Sequence, residues 1–179
     1  MSWVDQFTRH RIDLSTDSYE GRGPRSERFG HFRNGIELAT GTVIGVLEEM
    51  NRDLLLGSGE TFRDPLPTEV GGNYSCKWSL TWALQRSSRH RITGQPVEPV
   101  VVAVAFPPDY THPHLGENKP AQSESVWAWP FQVTSPDDAA DLRLVFEAIA
   151  AASLHERIFQ ADIGWRILPA AAEAQSGEA

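Results

Sequence analysis

The segment Asn73 to Gln85 alternates apolar and polar side chains without a break. Tyr74, Cys76, Trp78, Leu80, Trp82 and Leu84 share one face, while Asn73, Ser75, Lys77, Ser79, Thr81, Ala83 and Gln85 share the other. A period of two held for this long predicts a strand buried on one side and wet on the other, the usual antiparallel case. Such a strand needs antiparallel neighbours and a layer to cover its aromatic face. Pro99 to Phe106 is continuously apolar and ends at Pro107-Pro108, which predicts a central strand covered on both faces. Trp127, Trp129, Phe131 and Val133 alternate in a further strand, and Pro130 within it points to an edge position or a bulge.

Two helices supply the cover. Ile36, Ala39, Val43, Leu47, Met50 and Leu54 recur at three- and four-residue spacing, predicting a helix from about Phe32 to Leu56 that stops at Gly57-Ser58-Gly59. Gly41 and Gly45 lie one turn apart in it, and the helix propensity they forfeit predicts close backbone packing there. Ser135-Pro136-Asp137-Asp138 is a helix start: the serine caps, the proline fits the first turn and the acids favour the positive end. Leu142, Val145, Phe146 and Ile149 carry that helix to about Leu154. A last strand is then expected with Phe159, Ala161, Ile163, Trp165 and Ile167 inward. The order α-β-β-β-α-β predicts an α+β class, a single mainly antiparallel sheet of four or five strands with two helices on one face. One domain over 1–168 and a disordered tail over 169–179 complete the organisation, with polar loops at 16–30 and 109–123 as the natural places for function.

Charge and cysteine usage narrow the function classes. The chain of 179 residues carries a net charge of −8, which argues against general nucleic-acid binding, since phosphate neutralisation supplies most of that affinity. The one compact basic run, Arg86 to Arg91, reads as a solvated turn after a strand. Cys76 is the only cysteine, so an internal disulfide and a cysteine-based zinc site are excluded. The first residues carry neither a basic leader nor an apolar core, and no apolar run is long enough for a bilayer; a cytoplasmic protein without membrane contact is expected.

No nucleophile elbow, phosphate-cradling glycine loop or paired cysteine motif is present in the sequence. The leading expectation is a non-catalytic, cofactor-free module that binds another protein, of adaptor, chaperone or immunity type, with homo-oligomerisation compatible. Its binding residues would be Tyr74, Trp78, Trp82, Trp127, Trp129 and Trp165, on an aromatic sheet face or edge. A length argument supports exposure of that stripe. A strand over 73–85 spans about 44 Å at roughly 3.4 Å per residue, whereas a second helix of about eighteen residues spans only about 27 Å.

The alternative rests on the loop that follows Pro107. Pro108-Asp109, followed by Glu117-Asn118-Lys119, resembles the PD…ExK signature of a nuclease superfamily. The resemblance implies a core of the same element order, often with a glutamate on the first helix, where this chain has Glu37. It implies carboxylates holding a divalent metal and a lysine activating water, here Glu37, Asp109, Glu117 and Lys119. The ExK element is flanked in this chain by Gly116 and Pro120 rather than by strand residues. In another reading of the same loop, Asp109, His112, His114 and Glu117 ligate a transition metal, because an H-x-H pair on a strand points both imidazoles one way. A third expectation is an apolar small-molecule pocket between sheet and helices.

Overall fold

A computed structural model describes residues 4, 5, 8, 25–67, 74–106, 112–117, 126–161, 166 and 168. Among these, four helices and five strands follow in the order α1 (Arg25–Leu54), β1 (Gly59–Arg63), β2 (Tyr74–Trp82), α2 (Ala83–Ser87), β3 (Val100–Phe106), β4 (His114–Glu117), β5 (Val126–Pro130), α3 (Pro136–Asp141) and α4 (Arg143–Gln160). The strands form one antiparallel sheet in simple sequence order, β1-β2-β3-β4-β5, the α+β class expected. No described helix is long and apolar enough to cross a membrane.

The aromatic stripe of β2 is core. Tyr74, Cys76, Trp78, Leu80 and Trp82 are all buried, and the opposite positions Ser75, Lys77, Ser79 and Thr81 are exposed or half-buried. β2 pairs with β3 so that Trp78 lies against Val102 and Cys76 against Val104. α1 lies over β1 and β2, and α4 lies over β3, so both cover the same face. β3 is buried along its whole length, as its unbroken apolar run requires.

Three expectations change. The strand ends at Trp82 rather than Gln85, because Ala83 to Ser87 form a turn of helix in which Leu84 is exposed and the buried Gln85 amide donates to the Val97 carbonyl. α1, at 30 residues, spans about 45 Å at 1.5 Å per residue, so it outreaches the nine-residue strand beneath it. The premise that the stripe outruns its cover is therefore overturned. Second, α4 continues to Gln160 and leaves Phe159 exposed, where a strand was expected; Ala161 makes an isolated bridge to His90, and positions 162–165 and 167 lie outside the described residues. Third, α1 starts at Arg25, inside the segment read as a loop; Phe29 is buried with its ring 4.2 Å from that of Tyr74.

The glycine expectation also moves. A Cβ at Gly41 or Gly45 would meet nothing within 4 Å. Close approach occurs instead at Gly35, where a Cβ would lie 3.0 Å from the Val133 carbonyl oxygen and 3.1 Å from the Phe131 ring. The helix stop behaves as expected: Leu56 and Gly57 take positive φ, and the Gly57 amide returns to the Asn51 carbonyl. At the other capping signal, Ser135 accepts from the Asp138 amide, while the Asp138 carboxylate accepts from the Ser135 and Thr134 amides and the Thr134 hydroxyl.

β4 is short and pairs with only Ala103 to Ala105 of β3. Beyond its end α4 takes over with side chains. The Val101 amide donates to the Ser153 hydroxyl at 3.0 Å, and the Arg157 Nε donates to the Pro99 carbonyl at 3.1 Å. Ser153 and Arg157 are both buried, so the helix closes the part of the sheet edge that the strand leaves open.

Candidate functional site at the outer edge of the sheet

Among the described residues β1 is the outermost strand on one side of the sheet, and its backbone alternation is fixed by two observations. The Asn51 side chain acts like a one-residue strand partner for Gly59: its Nδ2 donates to the Gly59 carbonyl and its Oδ1 accepts from the Gly59 amide, at 3.0 and 2.8 Å. On the other side, the Asp64 amide donates to the Lys77 carbonyl at 2.9 Å. Antiparallel pairing alternates residues whose main-chain groups point to the partner with residues whose groups point away. Gly59 pointing away and Asp64 pointing in set the phase, so Glu60 and Phe62 bond to β2 opposite Thr81 and Ser79, and Thr61 and Arg63 present their N–H and C=O groups outward. Among the described residues nothing is hydrogen-bonded to those outward groups.

The side chains around this edge are amphipathic. Phe62 is 50% exposed on the face turned away from the helices, with exposed Glu60 and Asp64 two positions to either side. On the helix side Arg63 is held down, its guanidinium bonding Glu37 at 2.9 Å and the Thr40 hydroxyl at 3.2 Å. Thr40 also accepts from the Trp78 indole at 3.2 Å. Gly59 is where the edge is sealed: a Cβ there would stand 2.7 Å from Leu80 Cδ1 and 2.8 Å from Asn51 Oδ1, so only glycine lets the Asn51 amide dock. The open stretch therefore begins at Thr61.

The residues singled out by sequence are distributed as follows. Tyr74, Trp78 and Trp82 are buried in the core and Trp129 is half-buried against it, so these four pack the molecule's interior rather than a surface. Trp127 sits in β5 opposite Gly116, at a register shift, and Trp165 lies outside the described residues. Glu37 is committed to Arg63 on β1, and β4 is three strands away, about 14 Å at roughly 4.8 Å per strand. Glu117 ends β4 in register with Val126. Asp109 and Lys119 lie outside the described residues. The His112 and His114 rings come together, with centroids 4.2 Å apart, at the start of β4. No group of three or more metal-ligating side chains occurs among the described residues.

Cys76 has no reactive character. Burial pushes its thiol up to about 11, with the Asp64 charge adding to the effect.

No protein-family model, curated protein or solved structure matches the chain. The edge of β1 escaped sequence reasoning because five residues are too few to show a period. The flanking Gly57-Ser58-Gly59 and Asp64-Pro65 also read as a break between elements.

Proposed function

We propose that the protein is a protein-binding module that takes up an extended segment of a partner as a sixth strand beside β1. The observation that carries this reading is the outward main-chain groups of Thr61 and Arg63, which have no hydrogen-bond partner among the described residues and lie next to a half-exposed phenylalanine. Strand addition gains affinity from main-chain hydrogen bonds and selectivity from alternate side chains. The alternate positions here are Glu60, Phe62 and Asp64, and the chain carries a net charge of −8. The fitting partner is a basic segment with an apolar side chain to cover Phe62, steered by the acidic surface. The aromatic stripe takes no part in it.

The test uses an extended peptide alternating lysine, valine and threonine, titrated into the protein by calorimetry and followed by amide NMR. Binding with shifts centred on the Thr61 and Arg63 amides is expected. Thr61→Pro removes one outward N–H while sparing the inward ladder, an edge position where proline is tolerated. It should weaken binding about tenfold or more, some 1.4 kcal/mol, with unchanged circular dichroism. Equal binding by Thr61→Pro, or none by the wild type, overturns the proposal.

A second reading draws on the His112–His114 pair, whose rings lie 4.2 Å apart between centroids and tilted by 36°, since neighbouring imidazoles are the commonest ligands of a transition metal. Metal content of the purified protein, and thermal shift with Zn²⁺ compared between wild type and His114→Ala, decide it.

A further inference from the structure

The open stretch of β1 is short and closed at both ends. At Gly59 the Asn51 side chain already holds the outward N–H and C=O. The residue after Asp64 is Pro65, which has no N–H to give. Thr61 and Arg63 are what remains, so an added strand is held over about five residues, level with Glu60 to Asp64. Along that window the outer face runs acid, phenylalanine, acid, all three exposed. Lys77 stands across the ladder from Asp64, and Arg86 bonds Thr81 across from Glu60. Even so, neither carboxylate is in an ion pair among the described residues.

An accessible edge strand pairs with its own copies unless something opposes it. Two copies meeting edge to edge about a two-fold axis set their β1 strands antiparallel, and only residues with outward groups exchange bonds. Three such registers centre on the open stretch. With Thr61 opposite Arg63 of the second copy, the two phenylalanines meet, but Glu60 falls opposite Asp64 twice, like charge against like. With Thr61 opposite its own counterpart, Arg63 falls opposite Gly59, whose groups Asn51 has taken. With Arg63 opposite its own counterpart, two cations stand together, Thr61 meets Pro65 and each phenylalanine meets an Asp64. A foreign strand escapes all three objections when it carries cations four positions apart with an apolar side chain midway.

We infer that β1 chooses its occupant by charge: it takes a segment of pattern cation-x-apolar-x-cation from a different protein and refuses the β1 of a second copy. The inference rests on strand addition at this edge and adds to it the pattern, the length and the exclusion of self.

Two peptides of one composition provide the test. Thr-Lys-Thr-Val-Thr-Lys-Thr has its lysines four apart and Thr-Val-Thr-Lys-Thr-Lys-Thr has them two apart, so general attraction to the acidic chain is the same for both. Calorimetry should show the first binding about tenfold tighter. The double variant Glu60→Lys/Asp64→Lys should instead favour Thr-Glu-Thr-Val-Thr-Glu-Thr. Light scattering should show Asp64→Lys, which turns both clashes of the first register into Glu–Lys pairs, associating toward two chains at up to about 200 µM. Wild type should not do so through β1, and circular dichroism should be unchanged. Equal binding of the two lysine peptides overturns the charge pattern and leaves strand addition standing, whereas binding of neither overturns both. A wild-type dimer that Thr61→Pro dissolves overturns the exclusion of self, as does an Asp64→Lys variant no more associated than wild type.

Discussion

Cys76 shows how a single side chain here is governed by packing rather than chemistry. It sits at zero exposure between Tyr74 and Trp78 on the buried face, and its thiol is pushed up to about 11 by burial first and the Asp64 charge second. The folded state thus holds the thiol proton more tightly than the unfolded state, whose cysteine titrates near 8.5. Stability contributed by this group is complete below about pH 8.5 and falls as pH rises toward 11, because the unfolded chain releases a proton that the folded one keeps. Urea unfolding at pH 7.5 and 10 should show a larger loss for wild type than for Cys76→Ala. A disulfide reagent should label the native thiol only after denaturant is added. The residue's placement was legible from the alternation; its neighbour Leu84 was not. Ala83, Leu84, Gln85 and Arg86 are good helix formers that also continue a two-residue alternation, and the buried Gln85 amide bond to Val97 decides between the two.

At the scale of elements, α1 bears out its sequence stripe through Ile36, Ala39, Val43 and Leu47, and departs from it at the end, where Leu55 rather than Leu54 turns inward. Its glycines separate two effects that sequence alone confounds. Gly41 and Gly45 face open space, so alanine at either position gains helix propensity and loses nothing. Each substitution should raise stability by about 1 kcal/mol in urea unfolding. Gly35→Ala should lower it by about 1 to 3 kcal/mol, since its methyl would press on the Val133 carbonyl and the Phe131 ring. No spacing rule distinguishes these positions, because what differs is the segment packed on top, which is distant in sequence. β4 was hidden for a related reason: four residues within a polar loop carry no period, and the strand exists because β3 and β5 offer it two edges.

Across the whole molecule, one contiguous core runs from Phe29 on α1 through the inner face of the sheet to Leu154 on α4. All five described strands share one sheet and both long described helices share one face, so no described element has a core of its own. Unfolding should be a single transition, with tryptophan fluorescence and far-ultraviolet circular dichroism tracing the same urea curve. Two displaced curves would show that α4 or the β4–β5 hairpin opens separately. The fold class and the helix-covered face were readable from periodicity. The candidate site was not, because it depends on what is missing beside an element, a further strand next to β1 among the described residues. Such absences become visible only when neighbours are placed in space.

Ser153 and Arg157 set a constraint on how this chain can drift. They complete β3 where β4 falls short, so strand length and helix polarity are two solutions to one problem. A lineage that lengthened β4 by two residues would free both helix positions to become aliphatic. A lineage that made them aliphatic first would pass through a sheet with two unanswered backbone groups, the Val101 amide of them buried. The order of those changes is therefore not reversible without cost.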